Sequence, residues 1–165
     1  MEVHQPIHGT DALRGLIEAV RQGGAYDALP CTLEPAQWAA LAFYLQPLLV
    51  RTGDHAIRQG ERERTLYFVE SGTLTVQLDD LGGRRKIAVL APGTVVGEGA
   101  FFSGQPRSAT VVATREARLW RLTYAQFQAL SRHQPPIALD IAMACAAVVV
   151  RRLAQARRMT LRLAP

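Results

Sequence analysis

At 165 residues the chain has room for one domain with a few added helices, and its 48% apolar and 20% charged residues are those of a globular protein. The net charge is +5, but the 18 arginines and the single Lys86 are scattered as pairs and singles, so charge alone does not argue for nucleic acid. No apolar run reaches the ~20 residues of a membrane span, residues 1–10 lack a basic-then-apolar leader, and Cys31 and Cys145 form neither a metal spacing nor a disulfide framework; a cytoplasmic protein is expected.

Residues 10–46 read as helical. Thr10 or Asp11 is placed to cap a short helix carrying Leu13, Leu16, Ile17 and Val20 at helical spacing, and Gly23-Gly24 ends it. Thr32 then precedes Leu33-Glu34-Pro35, with proline in the first turn of a second helix whose stripe of Trp38, Leu41, Ala42 and Leu45 runs to Pro47.

From residue 48 the period changes. Alternating and β-branched residues predict strands over 66–69, 73–78, 86–90, 109–114 and 117–122. Turn signals separate them at Gly53-Asp54, Gly60-Glu61, Ser71-Gly72, Leu81-Gly82-Gly83 and Pro92-Gly93. Short strands at this spacing imply a small antiparallel barrel or double-sheet roll, and the absence of unbroken βαβ alternation argues against a dinucleotide-type sheet.

Residues 123–163 return to helix. Thr123 is placed to cap a short segment carrying Phe127 and Leu130, and Pro135-Pro136 starts a long one. There Leu139, Met143, Ala146, Val150 and Leu153 alternate at spacings of four and three, the pattern of a helix-pairing seam. The small residues Ala142, Ala144, Cys145, Ala146 and Ala147 would let another helix approach closely. Such a stripe can pack on the chain's own roll, but it runs past what one roll covers, which favours a homodimer.

The chemistry concentrates in residues 95–110, VVGEGAFFSGQPRSAT. Glycines at 97 and 99 let backbone N–H groups approach an anion, and a one-turn helix there would add the partial positive charge of its N-terminus. Arg107 supplies a planar fork for phosphate oxygens, whereas Glu98 accepts hydrogen bonds from sugar hydroxyls. An anion grip and a sugar grip on one loop suggest a ribose phosphate. A Walker loop is a poorer match because Lys86 is not in a Gly-Lys-Ser/Thr setting, and so is a dinucleotide fingerprint, because Phe102 stands where its third glycine belongs.

These residues closely resemble the phosphate-binding cassette of the cyclic nucleotide-binding domain family. Gly60-Glu61, residues 66–69 with Gly72, and Leu90-Ala91-Pro92-Gly93 ahead of Val96-Gly97-Glu98 extend the likeness over roughly residues 33–155. The resemblance implies a mainly β fold with flanking α: an antiparallel, jelly-roll-like β-roll (a double-stranded β-helix) over about 48–122, entered through N-terminal helices and followed by a long helix over about 136–161. Residues 1–31 would be a helical extension and 32–163 the nucleotide-binding domain.

The resemblance also assigns roles. Arg107 would pair with the cyclic phosphate, Glu98 would accept from the ribose 2′-hydroxyl, and backbone around Gly97, Gly99, Ala100 and Ala109 with the Ser108 hydroxyl would complete the site. Glu98 would steady Arg107 before ligand arrives. By position, Arg151, Arg152 and Gln155 are the candidates for a lid over the purine. Two departures stand out: Gly99 replaces the family's usual aliphatic residue, which would loosen the turn and remove an apolar anchor, and the lid region offers no hydroxyl pair.

Catabolite-activator-type regulators, whose cassette also carries Arg-Ser-Ala, continue past the long helix into a helix-turn-helix domain. Here the chain stops at Pro165, where such a domain needs about 50 or more further residues. The expectation is therefore a stand-alone sensor with no DNA-binding domain of its own and no membrane segment, which binds cAMP or cGMP and signals to an effector protein. A cyclic di-GMP effector and a dimeric interaction module that binds no ligand are the alternatives. His4, His8, His55 and His133 show no metal-ligand spacing and no nucleophile–histidine–acid set stands out, so neither a metal, nor any cofactor beyond the ligand, nor an enzyme is expected.

Overall fold

The structure, a computed structural model, describes residues 11–163, with side chains through residue 159. Helix α1 is Arg14–Gln22 and α2 is Pro35–Ala42. Strands β1 (Gln46–Val50), β2 (His55–Ile57), β3 (Thr65–Asp80), β4 (Gly83–Leu90) and β5 (Val95–Val96) precede the short helix α3, Glu98–Ser103. Strand β6 (Thr110–Thr123) then leads into α4 (Tyr124–His133) and the 29-residue α5, Pro135–Leu163. The strands pair antiparallel in the order β1-β6-β3-β4, with β2 also on β6 and β5 also on β3. This is the expected β-roll with flanking helices.

The roll is made from fewer, longer strands than the pattern predicts. Segments 66–69 and 73–78 are one strand, β3, and 109–114 and 117–122 fall largely within another, β6. Ser71-Gly72 is not a turn but a point where the β3–β6 register shifts. Gly72 sits at φ +88°, and a Cβ there would collide with the Glu116 carbonyl oxygen. A bulge of this kind bends a strand without ending it.

The helix starts also differ. Asp11 does not cap α1; its carboxylate accepts from Arg14 Nη2 at 2.8 Å, and Leu13 occupies the N-cap position. Thr10 lies outside the described residues. Glu34 stands at the N-cap of α2, where its N–H donates to Gln37 Oε1 at 2.8 Å, and Pro35 opens the first turn as expected. That helix ends at Ala42, so Pro47 lies within β1, tolerated because β1 is at the end of the sheet order. Thr123 caps α4 as expected, accepting from the Gln126 N–H.

Both faces of the central sheet are covered, which is why 66–69 is uninterruptedly apolar. Leu66 and Phe68 point into a helical core with Leu16 and Val20 of α1, Trp38 and Leu41 of α2, and Ile141 and Val148 of α5. Their alternates Tyr67 and Val69 point into the roll, with Ile57, Leu74, Leu90, Val111 and Leu119. Helix α1 therefore shares one core with the roll's outer face and with α5.

Helix α5 has two unlike faces. Ile137, Ile141, Ala144, Cys145 and Val148 are buried on the helical core. Leu139, Met143, Val150 and Leu153 are about 60% exposed on the other. Ala144 and Cys145 thus face the chain's own core and do not belong to the outer stripe, whereas Ala146 does remain exposed.

Candidate functional site

Strand β5 pairs with Tyr67 and Phe68 and delivers the chain to Gly97, which at φ +92° turns it into α3. Phe101 then sinks into the helical core, its ring edge-on to Phe102, Tyr124 and Phe127 at 5.1–5.6 Å. Arg64 lies 3.4 Å over the Tyr124 ring and donates through Nε and Nη2 to the Phe101 carbonyl. The α3 turn is therefore anchored on the side away from the roll interior, and its first-turn N–H groups have no acceptor within the helix.

The chain returns through 105–109. Reciprocal bonds of 2.8 Å, Arg107 N–H to the Glu61 carbonyl and Gly60 N–H to the Arg107 carbonyl, fix the backbone at Arg107. The residue is 3% exposed, and its guanidinium donates from Nη1 to the Gly97 carbonyl (3.0 Å) and from Nη2 to the Thr65 carbonyl (2.8 Å). Nε is buried with no hydrogen-bond partner. Burial pulls this guanidinium below the ordinary arginine pKa, and Tyr67, Glu63, Glu61 and Glu98 push it partly back. Among the described residues no carboxylate forms an ion pair with it.

Glu98 does not steady Arg107, contrary to the expectation. Its Oε1 accepts from Arg152 Nη1 of α5 at 2.7 Å. Arg152 also donates through Nε and Nη2 to Asp27 Oδ2 (2.9 and 2.7 Å), and Nη2 reaches Thr94 Oγ1 and the Val95 carbonyl. Burial would lower the Arg152 pKa, but the charges of Glu98 and Asp27 and their hydrogen bonds outweigh it and hold it above the usual arginine value.

These groups surround a cavity of about 510 Å³. Gly97, Glu98, Gly99, Ala100, Arg107, Ser108 and Ala109 all line it, and so do Arg152 and Gln155 from α5. Val76, Ile87, Val89 and Val111 of the roll supply an apolar wall. Arg151 is not part of it: its Nη1 donates to the Ala28 carbonyl at 2.9 Å, and it lines a separate groove with Cys31 and Trp38. Successive residues on a helix point about 100° apart, so one arginine of the pair faces the cavity and the other cannot.

Gly99 also differs from its expected effect. It lies inside the first turn of α3 with helical backbone, so the turn is formed despite the glycine, and a Cβ there would meet nothing within 4 Å. Three further residues belong to the site without any local motif: Tyr26 lines the cavity, and Asp27 and Thr94 hold Arg152. Asp27 lies 125 residues from its partner, and no local pattern could pair them.

Among the described residues no cluster of three or more His, Cys, Asp or Glu side chains could hold a metal, and no helix is long and apolar enough to cross a membrane.

A family model for the cyclic nucleotide-binding domain matches residues 47–134, just over half of the chain. The chain belongs to that family. It is 33% identical over 125 residues to the cyclic AMP receptor protein of Thermus thermophilus, which covers 75% of this chain and 56% of the relative. It is also 32% identical over 98 residues to a cGMP-dependent protein kinase of Plasmodium berghei, covering 59% of this chain and 11% of the kinase. The chain thus spans little more than half, or far less, of these relatives. A cyclic nucleotide-binding domain from Methylobacillus flagellatus superposes with a TM-score of 0.83 over 96% of this chain and 88% of that one, at 19% identity, which establishes the fold.

Proposed function

We propose that the chain is a sensor for a 3′,5′-cyclic purine mononucleotide, cAMP or cGMP. The observation that carries this reading is Arg107: a buried cation held by two carbonyls, with Nε unpartnered and no carboxylate paired to it, on the wall of a cavity of ligand size. An unneutralised buried charge is costly, and an arriving phosphate removes that cost. In this reading the phosphate binds Arg107 and the backbone N–H groups around Gly99 and Ala100, with Ser108 at its edge. The ribose 2′-hydroxyl donates to Glu98, and the base lies toward Arg152 and Gln155.

A cyclic dinucleotide fits less well. It carries two phosphates, and the second cation lining the cavity, Arg152, is already neutralised by two carboxylates. The module is regulatory, not catalytic: α5 touches the cassette through Arg152 and carries an exposed apolar stripe, so it is the element that reports ligand to a partner. That stripe suits pairing with α5 of a second copy, giving a homodimer whose output is a change at an effector protein.

Calorimetric titration with cAMP, cGMP and cyclic di-GMP tests the ligand. Saturable heat at one mononucleotide per chain is expected, with cyclic di-GMP silent. No heat from any of them overturns the reading. Light scattering is expected to give twice the 18.1 kDa chain mass, and a mass of one chain at all concentrations would exclude the pairing of α5.

A further inference from the structure

The connection between α1 and α2 reaches the ligand cavity. Tyr26 lines it, and beside Tyr26 the Asp27 carboxylate is buried against α5. The segment is tied down on both sides: the Asp27 carbonyl accepts from Thr94 Oγ1 at 2.7 Å, and the Leu29 N–H donates to the Gly93 carbonyl at 2.9 Å. Thr94 and Gly93 immediately precede β5, so the connection grips the strand that leads into the cassette.

Arg152 joins this segment to the site. Its Nε and Nη2 converge on one oxygen of Asp27, while Nη1 takes Oε1 of Glu98. A planar guanidinium held on one edge has its other edge fixed in direction. Asp27 therefore sets where Nη1 points, and Nη1 sets the rotamer of Glu98, leaving that carboxylate's second oxygen for a ligand hydroxyl. One cation between two carboxylates also leaves an excess negative charge there, which favours a donor over a further acceptor. Asp27 and Arg152 both lie outside residues 47–134, the part matched by the family model.

The geometry points to the α1–α2 connection as a third element of the ligand site, with Asp27 a positioning residue that acts through Arg152 to aim Glu98 at the ribose 2′-hydroxyl. This rests on the nucleotide reading above, but the bridge can be read without ligand as well.

The test compares wild type with Asp27→Asn, an isosteric change, using cAMP and 2′-deoxy-cAMP. Asp27→Asn is expected to weaken cAMP roughly tenfold, in the range of one charge-assisted hydrogen bond, and 2′-deoxy-cAMP less than about twofold. Equal weakening of both, as a general packing defect would give, overturns the proposal, and so does no weakening of either. Arg152→Lys keeps the charge but has no fork to span two carboxylates, and is expected to weaken cAMP at least as much as Asp27→Asn does. Adding Asp27→Asn to it should then cost nothing more, because both act on one coupled group. A wild type that bound neither nucleotide would defeat the nucleotide reading alone. In that case, amide exchange of the free proteins decides the bridge. Faster exchange at Leu29 and around Arg152 in Asp27→Asn is expected, and unchanged exchange refutes it.

Discussion

Arg107 and Arg152 line the same cavity, yet the first is held by two backbone carbonyls and the second by two carboxylates, a hydroxyl and a carbonyl. Carbonyls orient a guanidinium without neutralising it; carboxylates do both. On the proposed reading the contrast divides the labour: Arg107 would keep its charge for an incoming anion, whereas Arg152 joins α5 to Glu98 and to the α1–α2 connection.

The largest effect should come from breaking Arg152. Arg152→Ala strands Asp27 and Glu98, two largely buried carboxylates, and should lower the unfolding free energy by about 3 kcal/mol in urea denaturation. Arg107→Ala leaves only carbonyls behind and should cost clearly less. If the two variants were equally stable, the division of roles would be wrong.

Gly97→Ala attacks the other arm. At φ +92° a Cβ would lie 2.6 Å from Arg107 Nη1 and 2.7 Å from the Thr65 carbonyl oxygen, so the guanidinium must leave its position. Nucleotide affinity should fall at least tenfold, about 1.4 kcal/mol, and retained affinity would show that Arg107 need not sit there.

The two thiols give a pH signature of the helical side. Burial pushes Cys31 up to about 11 and Cys145 up to about 12 from an ordinary 9.0. The folded chain therefore keeps protons that the unfolded chain releases above pH 9. Their contribution to stability is constant below that and is lost as pH rises toward 11–12. Denaturation series at pH 7, 8.5 and 10 should show the fall, and Cys145→Ala should reduce it, leaving the part due to Cys31. The smallest effect belongs to Gly99→Ala, where open space and helical backbone predict a gain of about 0.5–1 kcal/mol in thermal unfolding of the free protein.

What the sequence could show follows from distance along the chain. That Gly97, Glu98 and Arg107 share one cavity was legible because they lie within eleven residues of one another. The strands were legible as alternation, but β3 reads as two because Ser71-Gly72 looks like a turn, and β6 reads as two because the polar pair Arg115-Glu116 interrupts its apolar pattern. The Asp27–Arg152–Glu98 bridge was not legible, since it joins three segments that meet only after folding. Nor could the sequence choose between Arg151 and Arg152: a one-residue difference in helical phase decides which enters the cavity, and packing of Ile141, Cys145 and Val148 sets that phase.

On the proposed reading Arg107 is the cavity cation left without a carboxylate, and a cyclic phosphate is what neutralises it. Calorimetric titration of wild type and Arg107→Ala with cAMP and cGMP tests it most directly. The loss of one charge-assisted contact of about 1.5–3 kcal/mol predicts at least a tenfold weaker complex for the variant with its fold intact. A nucleotide bound equally well by both proteins would contradict the claim and place the anion site elsewhere.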